Sequence, residues 1–214
     1  MRERTSQLLY AYWNEVRGDR VAPRRFDIEP SRITGLLPDT FILERISRAE
    51  YLFRLAGTRL CELFGREFRG SNMLGLFDPA DAEAIERVLE SACKEGAVGV
   101  ISLAARDREG DVTRMEMLLL PLVHSGLEIS RILGSISAGE TASKLGHDPI
   151  VSLELRSFNL IWPDGRPHAL LTKTDLSAPF AREPRHSRIV HSAHRSFRVY
   201  EGGRGDELPT EPKR

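Results

Sequence analysis

The densest group of titratable side chains in this 214-residue chain lies near its carboxyl end. It consists of Arg185, His186, Arg188, His191, His194 and Arg195. Three imidazoles can bind zinc or nickel, but these histidines are separated by four and then two residues, which is not the spacing of a ligand pair on one helix face. No cysteine accompanies them. The pattern therefore favours a solvated basic stretch over a metal site.

The same basic stretch has the charge to contact phosphates. Glu183, Asp206 and Glu207 dilute that charge, and the only aromatic residues interleaved with it are Phe197 and Tyr200. The whole chain balances 31 lysines and arginines against 31 aspartates and glutamates. We therefore expect neither nucleic acid nor an anionic membrane surface as a partner.

The chain has two cysteines, Cys61 and Cys93, and no Cys-x-x-Cys pair. Neither a disulfide framework nor a thiolate zinc site is encoded, so a reducing cytoplasm is the expected location. The amino-terminal segment is amphipathic rather than continuously apolar, which predicts neither a signal peptide nor a membrane span. Cys93 falls on the apolar stripe of a predicted helix and is expected to pack as a small buried hydrophobe.

Motifs of enzymatic chemistry are absent from the sequence. It contains no Gly-x-Gly-x-x-Gly, no phosphate loop ending in Gly-Lys-Ser/Thr and no His-Glu-x-x-His. Residues 134–139 resemble a nucleophile elbow only superficially, because the spacing is wrong. We therefore expect no enzymatic activity.

The first element that the pattern predicts is an amphipathic helix within residues 1–20. Its apolar stripe is Leu9, Tyr12, Trp13 and Val16, and Gly18 can end it. Such a stripe must cover another surface, either the outer face of its own sheet or the same helix of a second subunit. These four residues are therefore the candidate interface residues.

A domain over residues 21–140 is predicted to follow. It begins with an irregular segment rich in proline, residues 21–39, here called the crossing segment, and continues into a hairpin made by residues 40–46 and 51–56. In the second strand, Tyr51, Phe53 and Leu55 are expected to share one face. A long helix should begin at Asp78-Pro79 and end at Gly96.

Three further strands are predicted at residues 98–105, 113–123 and 129–138. Together these elements predict an α+β fold, a five-stranded antiparallel sheet with helices on one face, preceded by the amino-terminal helix. Residues 141–214 are predicted to be a carboxyl-terminal extension, mostly flexible after residue 162, where six of the 12 prolines lie.

The order of elements resembles a PAS domain. More narrowly, residues 25–30 (Arg-Phe-Asp-Ile-Glu-Pro), 37–39 (Leu-Pro-Asp) and 132–135 (Ile-Leu-Gly-Ser), after the Tyr12-Trp13 helix, are similar to the single-PAS proteins of alphaproteobacteria. The resemblance covers residues 8–140. It implies a stand-alone sensory or protein-interaction module of bacterial signal transduction, dimeric through the helix that precedes the sheet and without an attached output domain.

The resemblance also directs the search for cofactors. Flavin-binding relatives that react with light carry a cysteine just before the long helix, but the corresponding residues 71–77 contain none. Haem-binding relatives use a histidine from the long helix or its neighbours, and residues 57–96 contain none. No cofactor is therefore expected.

An apolar cavity between the long helix and the sheet would need no diagnostic motif. Its candidate lining residues are Phe53, Leu55, Phe64, Phe77, Leu89 and Met117. A packed core is the favoured interpretation of these residues, and a sensor of a small metabolite is the alternative. The expected partners are a second copy of the chain and another signalling protein.

Overall fold

The structure is a computed structural model that describes residues 1–126, 128–138, 149–164, 187–191 and 196–200. The chain divides into two units, Met1–Leu171 and Thr172–Arg214. The helices and strands of the first unit are α1 (Arg4–Arg17), β1 (Thr40–Ser47), β2 (Glu50–Ala56), α2 (Thr58–Phe64), α3 (Pro79–Glu95), β3 (Val98–Asp107), β4 (Val112–Ser125), β5 (Glu128–Ala138) and β6 (Ile150–Ile161). Short 3₁₀ turns lie within the crossing segment and before α3.

The second unit contains one described element, an antiparallel hairpin of β7 (Ser187–His191) and β8 (Ser196–Tyr200). Most of residues 163–214, which the sequence analysis expects to be flexible, lie outside the described residues.

The first unit is built around one antiparallel sheet with the strand order β2-β1-β5-β4-β3-β6. The predicted α+β class, with the amino-terminal helix in place, is confirmed. The sheet has six strands rather than five, because β6 pairs with β3 along most of its length. β6 lies beyond residue 140, where the predicted domain ends. Leu153, Phe158 and Leu160 of β6 pack in or against the inner core, and polar residues such as Glu154 and Asn159 alternate with them.

Apolar side chains cover both faces of the sheet. The inner face contacts α2 and α3 and forms the larger core, whereas the outer face contacts α1 and the crossing segment and forms a second core. Strand alternation explains the division: along β4, Met117 and Leu119 point inward while Leu118 and Leu120 point outward.

An irregularity in the pairing of β1 with β2 decides which face Leu55 occupies. Leu43 pairs with Phe53, but the preceding Ile42 pairs with Leu55, so Arg54 is an extra residue in β2. Such a bulge reverses the alternation beyond it. Leu55 therefore lies with Ile42 on the outer side and remains 45% exposed. The prediction that it shares a face with Tyr51 and Phe53 is wrong.

The long helix α3 begins and ends at the residues that the sequence indicates. The Asp78 side chain accepts a hydrogen bond from the backbone N–H of Asp81 at 2.9 Å, and Pro79 occupies the first helical position. Gly96 ends the helix with a left-handed φ of 69°. These local signals place α3 across the inner face.

None of the helices within the described residues is long and apolar enough to cross a membrane.

Candidate functional site

The inner core contains five of the six residues predicted to line a cavity. Phe53, Phe64, Leu89 and Met117 are buried in it, and Phe77 packs against it while partly exposed. Leu55 is the exception, because the bulge in β2 turns it to the outer face.

Aromatic rings occupy the middle of this core. The ring centroids of Phe41 and Phe53 are 5.5 Å apart, those of Phe53 and Phe68 are 4.9 Å apart, and those of Phe64 and Phe68 are 5.3 Å apart. Such distances are typical of direct ring contact. The four phenylalanines therefore form a continuous chain of rings between the sheet and the α2 region.

Backbone atoms close the core against these rings. A Cβ atom added to Gly134 in β5 would lie 2.2 Å from the Phe41 ring and 2.7 Å from the Leu118 carbonyl oxygen. The ring thus packs directly on the backbone of the sheet, in space that any side chain at residue 134 would need. This geometry is that of a packed core.

A polar cluster lies at one edge of the inner core, centred on Glu90 of α3. Arg45 contacts one oxygen of this carboxylate at 2.6 Å, and Lys94 contacts the other at 2.7 Å. The buried Tyr51 hydroxyl donates to the same carboxylate at 3.4 Å. Burial raises the pKa of Glu90, but the hydrogen bonds and charges of the two cations outweigh it and hold the pKa below its ordinary value.

The neighbouring Cys93 has the environment of a structural rather than a reactive thiol. It is 8% exposed, and burial raises its pKa to about 12. The nucleophilic thiolate form is therefore negligible near neutral pH. Burial likewise raises the pKa of the Tyr51 hydroxyl. Neither group is poised for proton transfer or nucleophilic attack.

The stretch before α3, residues 71–77, holds the hairpin in place. The Asn72 side chain accepts hydrogen bonds from the backbone N–H groups of Tyr51 at 3.1 Å and Leu74 at 3.2 Å, and it donates to the Ala49 carbonyl at 3.0 Å. Met73, next to it, is fully buried. This segment therefore joins α3 to the β1–β2 hairpin through the three hydrogen bonds of the Asn72 side chain.

On the outer face, the apolar stripe of α1 packs on the chain's own sheet. Leu9 and Trp13 are fully buried, Tyr12 is nearly so, and Val16 is partly buried against the same core. The Trp13 indole N–H donates to the Pro121 carbonyl of β4 at 2.9 Å. The stripe therefore covers the outer face of its own sheet, one of the two surfaces that the sequence left open, and contact with a second copy of the chain stays a prediction.

Further contacts fix the carboxyl-terminal half of α1. The Tyr12 hydroxyl accepts from the backbone N–H of Glu29 at 2.7 Å, which links α1 to the crossing segment. The buried Arg17 guanidinium contacts Asp164 at 3.1 Å and lies 5.8 Å from the Trp13 ring. Leu8 lies on the flank of the packed stripe and is 47% exposed. The flank around Leu8 is therefore the apolar part of α1 that its own sheet leaves open.

A pocket that the sequence did not indicate opens beside the outer core. It has a volume of about 360 Å³ and lies between the crossing segment and the outer side of β1, β2 and β5. Leu55, displaced from its predicted position, contributes to it. The pocket could not be predicted from the sequence. It depends on the bulge in β2 and on the path of the crossing segment, and neither has a periodic sequence pattern.

No cluster of three or more metal-ligating side chains occurs within the described residues. The histidine-rich stretch is not tested by this observation. His186 and His194 lie outside the described residues, and only the backbone of His191 is described.

Comparison with known proteins gives one match to a protein family. A family model described as PAS domain matches residues 1–137, which is more than half of the chain. No curated protein matches the chain significantly.

Several solved structures are similar at low identity. The light-state structure of the blue-light photoreceptor Aureochrome1 LOV shares 16% identity, covering 53% of this chain and 91% of that one, with a TM-score of 0.39. The PAS domain of an HTR-like protein from Haloarcula marismortui shares 18%, covering 51% and 90%, with a TM-score of 0.38. The PAS domain of a protein from Colwellia psychrerythraea shares 14%, covering 53% and 99%, with a TM-score of 0.39.

These structural overlaps are too loose to transfer a ligand or an activity to this chain. The match of the family model rests instead on the sequence of α1, the crossing segment and the first five strands. On that match, the chain belongs to the PAS domain family.

Proposed function

We propose that this PAS domain protein is a non-enzymatic sensory and protein-interaction module of bacterial signal transduction, which acts in the cytoplasm by forming dimers and binding another signalling protein. The observation that carries the proposal is the inner core, where the chain of phenylalanine rings occupies the space between helices and sheet. Because a packed interior leaves no space for a ligand, such a domain would signal through contacts of its surface with other proteins. The motifs shared with alphaproteobacterial single-PAS proteins support the same assignment.

The proposal includes no enzymatic role because of the environments of Glu90 and Cys93. The Glu90 carboxylate is engaged by two cations and a tyrosine hydroxyl, and the Cys93 thiol is buried with a raised pKa. A nucleophile needs an accessible base or a lowered pKa. The Glu90 carboxylate is occupied by its cationic partners, and the pKa of the Cys93 thiol is raised rather than lowered.

The dimer surface that the proposal favours is the exposed flank of α1 around Leu8. Leu9 and Trp13 hold the helix on its own sheet, so a second copy would pack on the side that remains open. Val16, which is only partly buried, would lie closer to that contact than the fully buried Trp13. In this arrangement α1 contacts its own sheet through Leu9 and Trp13, and it contacts the second copy through the flank around Leu8.

Light scattering over a series of protein concentrations tests the dimer. We expect the wild type to be dimeric and Leu8→Glu to shift toward monomer, because a carboxylate in an apolar contact must be desolvated. Val151→Glu is the matched control, since Val151 is a similarly exposed apolar residue on β6. A wild type that is monomeric at every concentration would contradict dimerisation, and equal effects of both variants would exclude the α1 flank.

The alternative function, a sensor with a ligand between the long helix and the sheet, is tested by mass spectrometry under native conditions. A retained compound adds its own mass, whereas a dimer doubles the mass of the chain. We expect doubling without an added compound, because aromatic rings fill the inner core. A stoichiometric small molecule that is lost when Leu89→Trp crowds this core would instead establish the sensor.

The signalling partner is sought by affinity purification of the tagged full chain from its native cell. The comparison is the chain truncated after residue 162. A protein retained by both forms binds the PAS domain, in agreement with the proposal. A protein retained only by the full chain binds the carboxyl-terminal extension, which would place partner binding outside the domain.

A further inference from the structure

The pocket on the outer face, here called the crossing-segment pocket, has the character of a small-molecule site. Its volume of about 360 Å³ falls within the range of about 300–1,000 Å³ typical of ligand pockets. Most of its lining is aliphatic, from Ile28, Ile33, Leu37, Ile42, Leu55 and Leu133. These residues come from the crossing segment and from three strands, so the pocket exists only in the folded domain.

Close backbone contacts hold the crossing segment against the sheet beside this pocket. The Gly57 N–H donates to the Thr40 carbonyl at 2.7 Å, and a Cβ atom on Gly57 would lie 2.2 Å from the Leu37 carbonyl oxygen. At the other end, the Tyr12 hydroxyl fixes the backbone of Glu29. The crossing segment is thus fastened on both sides of the pocket, which is preformed rather than created by a ligand.

Arg25 is the one charged residue among those that line the pocket. It is partly buried, yet within the described part of the chain its guanidinium has no carboxylate, hydrogen-bond or ring partner. Its neighbours differ: Arg20 pairs with Asp27 at 2.6 Å and Arg32 pairs with Glu15 at 2.8 Å. An unpaired guanidinium beside an aliphatic pocket is complementary to a ligand that carries an anionic end and an apolar tail.

We propose that the crossing-segment pocket binds a small monocarboxylate with an unbranched aliphatic tail. The tail lies among Ile33, Ile42 and Leu133, and the carboxylate pairs with Arg25. A monoanion is favoured because one guanidinium neutralises one charge, and its planar fork matches the two oxygens of a carboxylate. This site goes beyond the proposed function and needs neither the dimer nor a signalling partner.

Ligand binding in the crossing-segment pocket would affect the rest of the domain through Leu55 and through the contact of the crossing segment with α1. Leu55, exposed at the rim, would be covered by the tail of the ligand. The pocket is bounded by the same crossing segment that the Tyr12 hydroxyl joins to α1. Occupancy would therefore stabilise the segment that positions α1.

The test uses the full chain and sodium octanoate, followed by amide chemical shifts in a heteronuclear NMR titration. We expect a dissociation constant of about 1 mM or tighter, from burial of several methylene groups and one charge pair. Arg25→Gln should weaken binding about tenfold, as expected for a lost charge-assisted hydrogen bond. Arg24→Gln is the matched control, because Arg24 is adjacent and does not line the pocket.

Octanol is the second probe. It has the aliphatic tail without the carboxylate, so it tests the aliphatic lining separately from Arg25. It should bind the wild type more weakly than octanoate does, and Arg25→Gln should leave its binding unchanged. Leu55→Trp, at a partly exposed position, should fill the rim and weaken both probes. Folding of each variant is checked by the dispersion of the same NMR spectrum.

Four results would overturn the proposal. They are absence of saturable shifts with octanoate, shifts that map away from residues 25–58 and Leu133, equal effects of the Arg25 and Arg24 variants, and octanol binding as tight as that of octanoate. Shifts of the pocket residues with protein concentration alone would show that a second copy occupies the pocket, which would also contradict a small-molecule site. The four results with octanoate and octanol leave the light-scattering test of dimerisation unaffected.

Discussion

Replacement of Trp13 by alanine tests the central feature of this structure, the packing of α1 on the outer face of its own sheet. The Trp13 ring is fully buried in the outer core, which also contains residues of β3, β4 and β5. Removal of a buried tryptophan costs about 3–5 kcal/mol. The Pro121 carbonyl would also lose its indole donor, and a buried unsatisfied acceptor costs about 1–3 kcal/mol when water cannot replace the donor.

These two costs overlap, because the space left by the ring admits water to the carbonyl. We therefore expect Trp13→Ala to lower the free energy of unfolding by about 4 kcal/mol. Trp13→Phe keeps most of the packing and removes only the N–H donor, so it should cost about 1–2 kcal/mol. Leu8→Ala, on the exposed flank of the same helix, should change stability by less than about 0.5 kcal/mol.

The assay is urea unfolding followed by circular dichroism, at several protein concentrations so that any contribution of a dimer is visible as a shift of the midpoint. A loss below about 1 kcal/mol for Trp13→Ala, when independent of concentration, would refute the packing of α1 on its own sheet. A folded variant that has become monomeric with little loss of stability would place Trp13 between subunits instead.

Three further predictions concern the inner core. Gly134→Ala should cost about 1–3 kcal/mol in urea unfolding, because its Cβ meets the Phe41 ring, whereas Gly75→Ala, with nothing within 4 Å, should be tolerated; equal effects would argue against tight packing of the ring. Intact-mass analysis after iodoacetamide treatment at pH 8 should find Cys93 unmodified until the protein is unfolded, and rapid native modification would contradict its raised pKa. The pKa of Glu90 is lowered in the folded state, so its ion pairs stabilise the fold above the ordinary value of about 4.3 and are lost as the pH falls through the folded-state pKa. Urea midpoints should therefore fall less steeply with acidification in Glu90→Gln than in the wild type, and parallel profiles would count against this role.

The sequence by itself determined the elements whose signals are local. α3 is bounded by a capping aspartate, a proline at the first helical position and a terminal glycine, and each acts within one turn of the helix. The first five strands follow from runs of branched, aromatic and other apolar residues that are separated by turn residues. Most of the inner core, including Phe53, Leu89 and Met117, follows from the same patterns.

The tertiary structure decided the features that depend on pairing between distant segments. The face of Leu55 was set by a bulge that exists only when β2 pairs with β1, and β6 joined the sheet although its outward residues are polar. The surface under Trp13 was open to two interpretations, since an apolar stripe specifies burial but not its partner. The crossing-segment pocket arises where an irregular segment passes over three strands, so its residues acquire a common role only through their spatial proximity.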